Sequence, residues 1–162
     1  MEVDYEALYR QLLPLARVVA PRGIDGADLV QEALTRALSR HPNLRGVDDP
    51  RAYLSTAVVN AARSWGARAT RRAVLSVERP ASSDMDPGVD DETVALLVRL
   101  PPRQRACLYL RFVEDLAVDE VARRLGCSPG TVKSQTSKAL TTLRGVLTDD
   151  QEPEHNHGGR RA

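Results

Sequence analysis

The sequence predicts an all-α protein made of two small helical domains. Three observations lead there. Apolar residues recur at three- and four-residue spacing in segment after segment. The apolar content is mainly Leu, Val and Ala, with one Phe and one Trp among 162 residues, a composition that suits helices better than sheets. Charge is arranged in blocks. Residues 1–73 carry 11 Lys/Arg against 8 Asp/Glu, residues 74–92 carry 1 against 6, and residues 93–148 carry 9 against 4, although the chain as a whole is only +1. Two basic helical blocks flanking an acidic connector suggest a polyanion contacted at two places.

The first block, 1–73, reads as three helices. Asp4 to Val19 places Tyr5, Leu8, Tyr9, Leu12, Leu15 and Ala16 on one face, with Asp4 as the cap. Pro14 lies inside it and allows a kink. Pro21 and Gly23 end it. Asp25 to Ser39 turns Leu29, Val30, Ala33, Leu34, Ala37 and Leu38 inward, and His41-Pro42 closes it. A loop, Asn43 to Asp49, leads to a third helix from Pro50 to about Arg72, with Asp49 as cap and proline in the first turn.

Residues 78–91 hold Pro80, Pro87, Gly88 and most of the acidic excess without a period, so 74–92 is expected to be a mobile acidic linker. The second block, 93–148, reads as Glu92 to Leu100, Pro102 to Val113, and two further helices, with Leu108, Leu110, Phe112 and Val113 in its core. The tail, 149–162, is polar and expected to be disordered.

The last two helices have a recognisable order. Leu116 to Leu125 presents Val118, Val121, Ala122 and Leu125 at helical spacing, and Gly126 supplies a left-handed residue to stop it. Ser128 is a good cap for the next helix and Pro129 fits its first position. Val132, Leu140, Leu143 and Val146 form its buried side. Its other side is short and polar: Thr131, Lys133, Ser134, Gln135, Ser137 and Lys138. Helix, glycine turn, polar second helix is the helix-turn-helix arrangement, whose second helix enters a major groove. Such side chains donate to phosphates and base edges. A plain helical hairpin with a solvated face has the same pattern.

Several classes find no support. No apolar run approaches the ~18 residues of a membrane span, and no signal peptide precedes the first helix, so a cytoplasmic protein without membrane insertion is expected. Cys107 and Cys127 fall in apolar positions and are expected to be reduced. The histidines are His41, His155 and His157, with no Ser/His/Asp arrangement, Cys/His cluster or Gly-rich phosphate loop. No catalytic residue, metal or cofactor is expected.

Three motifs together resemble the bacterial RNA polymerase sigma factors of the extracytoplasmic-function group. Asp28-Leu29-Val30-Gln31-Glu32-Ala33-Leu34 resembles the signature of region 2.2. Pro50-Arg51-Ala52-Tyr53-Leu54 through Asn60 to Arg72 resembles region 2.3 running into 2.4. Leu100 to Arg105, Glu114-Asp115-Leu116 and Gly126 to Ser134 resemble region 4. The resemblance spans Tyr5 to Leu147. It implies a subunit that binds core RNA polymerase and directs transcription initiation at promoters. The runner-up is a helix-turn-helix repressor or activator that binds operator DNA without polymerase, which leaves the first block without a purpose.

The resemblance also implies residue roles. Asp25, Asp28 and Glu32 form an acidic face that could simply be solvated. In the family this helix docks on the clamp coiled coil of the largest polymerase subunit, which assigns core binding to Asp28, Leu29, Gln31 and Glu32. Tyr53, Thr56, Asn60 and Arg63 recur as one polar stripe, suited to a single strand whose bases stack and are read at their edges. In the family that helix captures the non-template strand of the minus-10 element with a flipped base. This assigns Tyr53 and Asn60, with Arg63, Arg68, Arg71 and Arg72 neutralising phosphates. Tyr53 stands where Trp is frequent. Trp65 falls on the apolar stripe and reads as core. Region 4 reads duplex minus-35 DNA through Thr131, Lys133, Ser134, Gln135, Ser137 and Lys138. Gln135 stands where Arg is common and can pair with adenine. Arg103, Arg105 and Arg124 are candidates for outer phosphate contacts. The acidic linker would imitate RNA in the polymerase exit channel or serve as a spacer. Further expected partners are the polymerase flap and an anti-sigma factor.

Overall fold

The computed structural model describes residues 2–73 and 95–149, and side chains within 69–73 lie outside that description. The linker expected at 74–92 and nearly all of the tail fall outside the described residues. Among those described, every regular element is helical: α1 (Tyr5–Val19), α2 (Gly26–Arg40), α3 (Pro50–Ala73), α4 (Pro102–Leu108), α5 (Val118–Leu125) and α6 (Pro129–Asp149). A 3₁₀ turn, Pro42–Leu44, follows α2, and a π turn, Tyr109–Val113, follows α4.

Local chemistry accounts for the helix starts. The Asp4 carboxylate accepts from the Ala7 N–H at 2.9 Å, Asp25 accepts from Ala27 at 2.9 Å, and Asp49 accepts from Ala52 at 2.9 Å. Each satisfies an orphan donor of the first turn. Helix α1 continues through Pro14 to Val19, so that proline does not end it. Gly26 marks a close approach of α1 and α2, since a Cβ there would lie 2.7 Å from the Arg17 backbone nitrogen.

Helices α1, α2 and α3 pack around Leu12, Leu29, Leu54 and Val58, all essentially without exposure. Full burial of such a side chain is worth roughly 1.5–3 kcal/mol. This core does not stop at the first domain. Ala106, Cys107, Leu110, Val121, Ala122, Leu125 and Val132 belong to the same apolar cluster. Helix α5 lies on α3, and α4 lies on both α1 and α3. A smaller cluster of Leu100, Leu108 and Ala139 joins α4 to α6.

Two expectations need correction here. Phe112 and Val113 are not core: they are 61 % and 63 % exposed. The π turn is the reason. The Glu114 N–H bonds back five residues to the Tyr109 carbonyl at 3.1 Å. The extra residue rotates the apolar pattern out of register, so Tyr109 and Leu110 face in while the next apolar pair faces out. Helix α5 also starts later than expected, at Val118, after Asp115 takes a positive φ of 53°.

Arg105 is the other surprise. It is 4 % exposed, and its guanidinium donates to the carbonyls of Val18 and Ala20, both at 3.0 Å. These carbonyls belong to the C-terminal end of α1, where a cation is favoured. Arg105 therefore ties α4 to α1 and is not available to DNA phosphate. Burial pushes its pKa down to about 10, still charged at neutral pH. Its Nε has no protein acceptor among the described residues.

Candidate nucleic-acid interface

Gly126 ends α5 in the left-handed region, with φ 61° and ψ 39°. The Cys127 N–H reaches the Ala122 carbonyl at 3.0 Å, closing the helix with a Schellman-type bond. The turn is short, and Ser128 then caps α6, its hydroxyl accepting from the Thr131 N–H at 3.1 Å. Val132 and Ala139 are fully buried, while Leu140, Leu143 and Val146 are only half-buried.

The opposite side of α6 is open. Lys133, Ser134, Ser137 and Lys138 are exposed. Thr131 is half-buried, with its hydroxyl 2.9 Å from that of Ser128, and Gln135 is half-buried. Lys133 and Ser137 also line a shallow groove of about 300 Å³ that ends on Arg111 and Arg144. Sequence reasoning missed these two arginines. Lys133, Ser137, Thr141 and Arg144 lie along one helical face, and that spacing was the signal for Arg144.

On α3, Asn60, Arg63 and Arg68 are exposed. Arg68 lies over the Trp65 ring, 5.6 Å from its centroid. Arg71 and Arg72 continue the helix, with side chains outside the described residues. Tyr53 is half-buried and meets His41 edge-on at 5.5 Å. The loop expected between α2 and α3 is tightened by the 3₁₀ turn, where Asn43 and Leu44 both take positive φ.

On α2, Asp28 and Gln31 are exposed, as a docking face requires. Leu29 is fully buried in this structure, so it secures the helix and presents nothing outward. The Glu32 carboxylate accepts from the Trp65 indole and pairs with Arg36. Trp65 is thus half-buried against the core with its polar edge directed to α2, only partly the core residue expected.

Arg124 is not an open phosphate contact either. Its guanidinium bonds Glu114 at 3.0 Å and Glu120 at 3.1 Å, with a side chain 13 % exposed. Arg103 is half-buried.

Two family models match the chain. Sigma-70 region 2 covers residues 4–72, and sigma-70 region 4 covers residues 91–143. The chain belongs to the sigma-70 family of RNA polymerase sigma factors. It is 33 % identical over 141 residues to the RNA polymerase sigma-E factor of Streptomyces coelicolor, covering 84 % of this chain and 79 % of that protein. It is 29 % identical over 147 residues to the extracytoplasmic-function sigma factor SigM of Mycobacterium tuberculosis, covering 86 % and 72 %. The sigma factor RpoE of Bartonella quintana, crystallised with the anti-sigma factor NepR, shares the fold, with a TM-score of 0.66 at 23 % identity over 91 % of this chain and 96 % of that one.

The protein is accordingly a sigma factor of the extracytoplasmic-function group, which directs transcription initiation with core RNA polymerase. The stand-alone operator binder is not favoured, because the region 2 match accounts for the first helical unit. Among the described residues the sigma factor has no helix long and apolar enough to cross a membrane, and no cluster of potential metal ligands.

Proposed function

We propose that the sigma factor reads its promoter at two places. Duplex minus-35 DNA is met by α6 through Lys133, Ser134, Ser137 and Lys138, with Thr131 and Gln135 at its edge. The minus-10 non-template strand is met by α3 through Tyr53, Asn60 and Arg63, with Arg68, Arg71 and Arg72 on phosphates. The observation that carries this reading is the capped, solvent-open polar face of α6 directly after the Gly126 turn. We divide the chain into a core-docking and minus-10 domain (1–73), a linker (74–92), a minus-35 domain (93–148) and a tail (149–162). Two readers on one chain make the second contact effectively intramolecular.

Core polymerase docks on α2, with Asp28 and Gln31 presented to the basic clamp coiled coil and Glu32 contributing through its Trp65-held carboxylate. The flap would meet the second domain. An anti-sigma factor is a candidate further partner. The protein works beside the polymerase in the cytoplasm and adds no catalytic centre of its own.

Run-off transcription with purified core polymerase on genomic fragments tests the reading. Discrete start sites preceded by two shared elements are the expected result. Equal DNA binding with and without core, and no start sites, would overturn it.

A further inference from the structure

Trp65 touches a side chain from each binding face of the first domain. Its indole N–H donates to one oxygen of the Glu32 carboxylate on α2, and the other oxygen takes Arg36, one turn further along that helix. The Arg68 guanidinium lies over the face of the same ring, 5.6 Å from its centroid. The ring itself is half-buried and packs against the apolar core, which limits how it can turn. Arg36, Glu32, Trp65 and Arg68 therefore form one line of contacts from α2 to α3.

Resting on the docking role of Glu32 and the phosphate role of Arg68, we infer that Trp65 is a positioning residue for both. Its N–H edge holds the carboxylate that meets core polymerase. Its face holds the arginine that meets the minus-10 strand.

The chemistry of each contact suits that work. Glu and Arg are long side chains that lose rotamer freedom when they bind, and holding them beforehand reduces that loss. A carboxylate has about four lone-pair sites. The indole and Arg36 take two, and the Glu32 side chain remains 20 % exposed, so a basic group can bind it without displacing Trp65. The indole is neutral and orients the carboxylate without cancelling its charge. Arg36 is half exposed and is the partner an incoming cation replaces. On the other side, at about 3.6 residues per turn Arg68 falls between Asn60 and Trp65 around α3. Stacking leaves the in-plane donors of a guanidinium free to fork onto a phosphate. Arg68 is exposed, as are Asn60 and Arg63.

The test uses the full chain and two affinities: core polymerase by pull-down titration, and a labelled minus-10 non-template strand on preformed holoenzyme. Trp65→Phe keeps an aromatic face and removes the N–H, and should weaken core binding about fivefold. Trp65→Leu also removes the face, and should weaken strand binding about threefold beyond Trp65→Phe. Trp65→Met takes its place if circular dichroism shows it misfolded. Double-mutant cycles give the readout that a merely structural role would not move. In a Glu32→Ala background, Trp65→Phe should weaken core binding no further. In an Arg68→Ala background, Trp65→Leu should weaken strand binding no further. An additive loss in either cycle overturns the shared positioning role and leaves the docking and phosphate roles standing. Wild-type core affinity in Trp65→Phe does the same. If Glu32→Ala and Arg68→Ala themselves bind as wild type does, the roles beneath the inference fail and it falls with them.

Discussion

Thr56 and Arg124 meet across a boundary that the chain order conceals, the hydroxyl of one donating to the backbone carbonyl of the other at 3.0 Å, 68 residues apart. The acceptor is one of the carbonyls that the end of α5 leaves without a helical partner. Thr56→Val keeps the shape and removes the donor. Stability should fall by about 1 kcal/mol, read as a lower urea midpoint with unchanged slope.

Trp65 is the single tryptophan of the chain and its indole bonds Glu32. Glu32→Ala should therefore change the emission of the folded protein. Asp28→Arg, on the exposed part of α2, should leave emission and melting temperature unchanged and weaken core polymerase binding tenfold or more, on the order of 1.4 kcal/mol. A pull-down titration with core decides it.

Lys133 and Lys138 are exposed on α6 and should act on phosphate. Replacing either by Ala should weaken minus-35 binding across sequences and reduce the salt slope by about 1. Gln135→Ala should instead relax preference at one base pair, by about 1–3 kcal/mol if the amide pairs bidentately. Binding across a set of mapped promoter variants at several salt concentrations distinguishes the two behaviours.

Ser128→Ala removes the α6 cap and should cost about 1 kcal/mol. Ser128→Asp retains an acceptor and should preserve stability. Denaturant titration of both variants gives the comparison.

Cys107 is fully buried, and burial, with a smaller contribution from Cys127, pushes its thiol from 9.0 up to about 11, partly opposed by Arg103. The unfolded chain loses that proton near 9 while the folded one holds it to about 11. The contribution to stability is full below 9 and is lost as pH rises through 11. A thiol reagent at pH 8 should label half-buried Cys127 first and reach Cys107 only on opening. Mass spectrometry after timed labelling checks the order.

Much of the architecture was legible because its causes are local. The Asp4, Asp49 and Ser128 caps and the left-handed Gly126 are decided within four residues, and each was expected. The open face of α6 follows from helical period. Phe112 and Val113 were misread because a π turn, which no residue type announces, shifts the register by one position. Arg105 was misread because its charge suggested phosphate, whereas its partners are backbone carbonyls of α1, more than 80 residues earlier.

The sequence by itself determined the helices, their caps, the helix-turn-helix order and the family. These rest on short-range periodicity, on turn residues and on motifs that survive without knowledge of packing. Only the tertiary structure decided that α5 lies on α3 and that Asp49, Thr56 and Arg51 are engaged by the second domain. Those contacts join residues 63 to 74 positions apart, several of them exposed-type side chains with no periodic signature. A hydroxyl or guanidinium has many acceptable partners, and the packed core selects among them.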